Sequence, residues 1–96
     1  MTQAVILTMV ADREQGLKIA RSLVEAGLAA CVNVIGGATS VYRWQGKICE
    51  ERELLLVIKS EAANFTEIKE RILSLHDYEL PEICLLYTSP SPRDCS

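Results

Sequence analysis

The stretch from Ala29 to Ser60, AACVNVIGGATSVYRWQGKICEERELLLVIKS, restricts the possible folds more than any other part of this chain. β-Branched and aromatic residues fill both of its halves, and a polar Gln45-Gly46-Lys47 break lies between them, so it reads as two long strands folded into a hairpin. The first strand carries Cys31, Val32, Val34, Ile35, Val41, Tyr42 and Trp44; the second carries Leu54 to Ile58. Gly36-Gly37 interrupts the first strand, where paired glycines mark a bulge or bend.

The flanking segments supply what such a hairpin must pack against. Gln3 to Val10 is a nearly unbroken apolar run, as expected of a strand in the middle of a sheet. Asp12 is placed to cap a helix, with Gln15 three residues on in the capping-box position and Glu14 in the first turn. Leu17, Ala20, Leu23, Val24 and Ala26 form the expected buried stripe, and Gly27 ends the helix. Ser60 is placed to cap a second helix from Glu61 to about Leu75, whose Phe65, Ile68, Ile72 and Leu75 recur at spacings of three and four. A polar turn follows at His76 to Glu79, Pro81 holds the chain extended, and Ile83 to Tyr87 reads as a last strand.

The order strand, helix, hairpin, helix, strand predicts an α+β, ferredoxin-like βαββαβ sandwich, an antiparallel sheet with both helices on one face. Residues 1–87 form this single domain. Residues 88–96, with Pro90, Pro92 and several serines, are expected to lack order. Apolar residues alternate with apolar residues in the Leu54 to Ile58 strand, so something besides the helices must cover the second face of the sheet. A chain of 96 residues buries only roughly 60 to 65% of its unfolded surface, and self-association would cover that face.

With 13 acidic against 10 basic side chains and no basic run, the chain offers no phosphate-binding stripe, which excludes nucleic acid as the expected partner. No secretory signal pattern and no apolar run of membrane-spanning length is present, so the expected setting is cytoplasmic, without a membrane partner. The four cysteines contain no CxxC pair and are read as buried, reduced thiols. No G-x-S-x-G and no phosphate-cradling glycine loop occurs, and the expectation is a protein that is not an enzyme.

AACVN, the S-x-Y-x-W-x-G-K run from Ser40 to Lys47, the E-x-E-L-x-L-x-I-K run from Glu51 to Lys59, and H-x-Y-E-x-P-E from His76 to Glu82 together resemble the CutA divalent-cation tolerance family. The similarity runs from about Ala4 to Ile83. It implies a homotrimer with interlocking hairpins, linked to copper tolerance and binding copper or other divalent metal ions. Asp77 stands where the family has a proline, and the segment from about Cys84 departs from the family pattern, as in a chain truncated at the C-terminus.

His76, the one histidine, lies beside Asp77, Tyr78, Glu79 and Glu82; it reads either as a metal donor with Glu82 or as a helix-ending cap. Cys31 is a soft candidate donor for copper, or a small apolar residue in a strand. Tyr42 and Trp44 share one face of their strand and form a ligand wall or a packing surface. Lys59, Tyr78 and Glu53 complete the set of candidate ligand or interface residues. Glu50, Glu51 and Glu53 are read as solvated partners of Arg43 and Lys47 across the hairpin. Two functions are carried forward: a trimeric metal-binding tolerance protein, and a trimeric regulatory or scaffold protein that holds a small ligand or partner in clefts between subunits.

Overall fold

The computed structural model describes residues 2–78, 81–87 and 94–95. Strand β1 (Gln3–Val10) leads into helix α1 (Arg13–Glu25); β2 (Cys31–Trp44) and β3 (Lys47–Glu61) form the hairpin; helix α2 (Phe65–Leu75) returns to β4 (Ile83–Tyr87). The pairings of these four strands are antiparallel, in the order β2-β3-β1-β4. This is the expected ferredoxin-like arrangement. The last strand, β5 (Asp94–Cys95), lies opposite Cys84 and Leu85. The expected lack of order over residues 88–96 therefore does not hold for that pair, and the rest of the segment lies outside the described residues.

Period-two alternation divides the sheet into two faces. Ala4, Ile6 and Val10 of β1, Leu56 and Ile58 of β3, and Ile83 and Leu85 of β4 are buried with Ile19 and Leu23 of α1 and Ile68 and Ile72 of α2. Each fully buried branched side chain of this kind contributes roughly 1.5–3 kcal/mol, so this layer dominates the stability of the fold. Thr8 interrupts the layer but is not left unpaired: its hydroxyl donates to Glu82 O over 2.7 Å, tying β1 to the segment leading into β4.

Asp12 caps α1 as expected, its Oδ1 accepting from Gln15 N at 2.8 Å. The reciprocal half of a capping box does not form, because the Gln15 side chain turns inward and donates to Leu75 O over 2.6 Å. The buried face of α1 consists of Gln15, Gly16, Ile19, Ala20 and Leu23. The expected stripe is thus rotated, and Val24 is left 45% exposed and Ala26 exposed. Gly16 explains the rotation: a Cβ there would meet Val10, Leu56 and Val34 at 3.2–3.3 Å, so the helix sits closest to the sheet where a side chain is missing.

The second helix begins later than expected. Strand β3 continues to Glu61, with Ser60 buried in it opposite Ala4. A 3-10 turn, Ala62–Asn64, precedes α2, and no side chain caps either start. Ser60 therefore serves as a strand residue. The polar side chain that works here is Asn64, whose Nδ2 donates to Leu28 O over 3.1 Å and ties this turn to the end of α1.

Candidate functional site

The face of the sheet turned away from the helices is built in rows by the strand register. Val5, Lys59 and Cys31 lie side by side; next come Leu7, Val57 and Asn33, then Met9, Leu55 and Ile35. Val5, Leu7, Met9, Leu55 and Val57 are half-buried although neither α1 nor α2 covers them. The face is apolar at its centre and polar where Lys59, Cys31 and Asn33 border it.

Beyond Ile35 the register shifts: Ile35 opposes Leu55, but Ala38 opposes Glu53. Gly37 takes a φ of +83° at this bulge, in the left-handed region that favours glycine. Past it, Tyr42 lies opposite Cys49 and Trp44 opposite Lys47, and the hairpin ends in a tight turn with Gln45 and Gly46 both at positive φ. Most of this arm is exposed, with Trp44, Val41 and Ile48 each 63% exposed, while Ser40 and Cys49 are half-buried.

Two phenol–carboxylate pairs lie on and beside this arm. The Tyr42 hydroxyl donates to Glu51 Oε1 over 2.6 Å, and the Tyr78 hydroxyl donates to Glu53 Oε2 over 2.5 Å. The bond to Glu51 pushes the Tyr42 phenol up to about 12, with desolvation and the nearby Glu51 and Glu53 charges adding to it. Burial, and then the bond to Glu53, push the Tyr78 phenol up as well. Both phenols therefore remain protonated donors at neutral pH. The expected pairing of the hairpin carboxylates with Arg43 and Lys47 does not describe Glu51 and Glu53, whose hydrogen-bond partners are tyrosines. Arg43 itself lies opposite Ile48 and not opposite an acidic residue.

His76 ends α2, its backbone N–H donating to Ile72 O over 2.8 Å. Its ring reaches back to β1: Nε2 lies 2.6 Å from Met9 O, while Nδ1 is 3.0 Å from the N–H of Tyr78. The His76 and Tyr78 rings lie 4.6 Å apart, tilted by 39°. The turn after α2 thus carries Tyr78 to the hairpin carboxylate Glu53, which joins three of the residues singled out from sequence.

Other candidates lie apart from this group. Cys31 is exposed, not buried, because it opens β2 on the face opposite to Val32 and Val34; its Sγ is 4.0 Å from Asn33 Oδ1. Lys59 is exposed beside it, and Glu82, also exposed, meets β1 through its backbone carbonyl. Among the described residues no three His, Cys, Asp or Glu side chains come together as a metal-holding group. Sequence reading missed the Tyr42–Glu51 bond, although Tyr42 lies opposite Cys49 and Glu51 follows two residues on along β3.

The family model described as CutA1 divalent ion tolerance protein matches residues 4–92. The match continues through the segment after Ile83 that sequence reading set apart from the family. The divalent-cation tolerance protein CutA of Thermus thermophilus is 45% identical over 92 residues, covering 96% of this chain and 89% of that protein. The crystal structure of CutA1 from Oryza sativa superimposes with a TM-score of 0.90 at 33% identity, over 96% of this chain and 84% of that one. The chloroplastic CutA of Arabidopsis thaliana is 40% identical over 85% of this chain, which spans only 45% of that longer protein.

Proposed function

The chain belongs to the CutA1 divalent ion tolerance protein family, and from that premise we propose that it acts in divalent-cation tolerance as a homotrimer that binds copper or another divalent metal ion between subunits, without enzymatic activity. One observation supports assembly above all others: Val5, Leu7, Met9, Leu55 and Val57 make an apolar sheet face that, among the described residues, no helix covers. A second and third copy would cover it and would also pack the exposed Trp44, Val41 and Ile48 of the hairpin.

The residues of one subunit do not fit a metal site by themselves, since both His76 nitrogens already have partners and no three donor side chains converge among the described residues. Donors for an ion would therefore have to come from more than one copy. The exposed Cys31 thiol and the exposed Glu82 carboxylate are this chain's contribution in the proposal.

The experiment is a solution mass by light scattering, paired with calorimetric titration of Cu²⁺. A trimer that binds Cu²⁺ saturably, together with loss of both assembly and binding in Val57→Lys, agrees with the proposal. A monomer at micromolar concentration, or a trimer that takes up no Cu²⁺, rejects it. The exposed Tyr42 and Trp44 beside two bound carboxylates favour one further reading, a small ligand or protein partner held in the subunit clefts. Thermal stabilisation by metabolites and not by Cu²⁺ would select it.

A further inference from the structure

We propose that His76 is a positioning latch: its imidazole bridges the end of β1 to the turn after α2, holds Tyr78 on Glu53, and is thereby withdrawn from metal coordination. The inference stands on the geometry of one subunit and does not rest on the assembly or copper binding proposed above.

Both partners of the ring have a fixed polarity. Met9 O can only accept, so the nitrogen 2.6 Å from it must carry the proton; the Tyr78 backbone N–H can only donate, so Nδ1, 3.0 Å away, must present its lone pair. One neutral tautomer alone satisfies both, with hydrogen on Nε2. A neutral imidazole coordinates a metal through a nitrogen that carries no proton, which here is Nδ1. An ion there would displace the Tyr78 N–H; an ion at Nε2 would require loss of the proton and of the Met9 contact.

The bridge has a positional consequence. Met9 pairs with Leu55 on β3, two residues from Glu53, so anchoring the ring at Met9 O places the turn beside the strand that carries the carboxylate. The second bond then holds the Tyr78 backbone, and its phenol reaches Glu53 Oε2 over 2.5 Å. Without the ring, the turn after α2 would lose its side-chain tie to β1 and its hold on the Tyr78 backbone.

Because the chain contains a single histidine, ¹⁵N-histidine labelling of the full chain yields the signals of His76 alone. The expected spectrum at neutral pH shows a protonated Nε2 and an unprotonated Nδ1, unchanged by one equivalent of Zn²⁺ per subunit. The opposite tautomer, or a coordination shift at either nitrogen, overturns the proposal. Two half-mimics separate the bonds: His76→Asn keeps an oxygen where Nδ1 accepts from the residue two ahead, as in an Asx turn, whereas His76→Gln keeps a donor toward Met9 O. Followed by tyrosine NMR, the Tyr78 phenol should fall toward its ordinary range in both variants, since the Asn variant lacks the tie to Met9 O and the Gln variant lacks the hold on the Tyr78 backbone. A phenol that stays raised in either variant shows that the bond it lacks does not position Tyr78, and rejects the bridge.

Discussion

Gln15 on α1 and Leu75 on α2 are separated by 60 residues in sequence and joined by one hydrogen bond, Gln15 Nε2 to Leu75 O at 2.6 Å. Leu75 is the last residue of its helix, and its carbonyl is among those that a helix leaves without an internal partner. A side chain from the neighbouring helix supplies the missing donor. Gln15→Leu should therefore remove a buried bond without opening space, and cost about 1–3 kcal/mol as the carbonyl loses its partner. Urea unfolding measures it, and an unchanged midpoint would show that water reaches Leu75 O.

Gly16 sets the distance between α1 and the sheet. Alanine there gains roughly 1 kcal/mol of helix propensity, but its methyl meets Val10, Leu56 and Val34 at 3.2–3.3 Å. Val10 and Leu56 are fully buried, and overpacking of such sites typically costs about 1–3 kcal/mol. Gly16→Ala should thus lower stability by about 1 kcal/mol net. A rise in melting temperature would mean that the helix lifts at little cost.

The hairpin tip offers a stabilising change. Gln45 and Gly46 have φ of 49° and 77°, the pair of left-handed residues that a type I′ turn needs, and glutamine is poorly suited to the first position. Gln45→Asn should add a few tenths of a kcal/mol, whereas Gly46→Val should cost about 1 kcal/mol or more. Thermal melts of the two variants should move in opposite directions.

Tyr42 makes the alkaline behaviour predictable. Its phenol is raised from 10.0 to about 12, so the folded state favours the protonated form. That contribution is fully present below pH 10 and is lost as the pH rises through 12. Ultraviolet titration should show Tyr42 ionising late, and Glu51→Gln should bring it back toward 10. Ionisation of Tyr42 near pH 10 in the unaltered protein would contradict the Glu51 bond.

The sequence made the fold legible because its apolar runs are long and its glycines and turn residues punctuate them. β1 is found at its expected limits, and Ile68 and Ile72 are buried as their spacing requires. The phase of α1 was not legible, since its inward face includes a glycine chosen for thinness and a glutamine chosen for its bond to Leu75. Neither has an apolar signature. Ser60 misled for a related reason: a serine next to a helical pattern resembles a cap, while strand pairing with Ala4 decides its place. At the candidate site, neighbours along β3 were readable, but the Tyr78–Glu53 contact depends on where the turn after α2 crosses the sheet, and local pattern carries no information about that.

The register shift at Gly36-Gly37 governs how this chain tolerates insertions and deletions. Three steps along β2, from Ile35 to Ala38, are matched by two along β3, so odd-numbered residues point outward before the bulge and even-numbered ones after it. Removing one glycine would match two steps with two and leave Ala38 opposite Glu53 and Trp44 opposite Lys47, so Tyr42 and Trp44 would keep their face while the bulge itself is lost. A one-residue deletion is therefore absorbed at this point, whereas elsewhere in β2 it would turn the residues beyond it to the opposite face of the sheet.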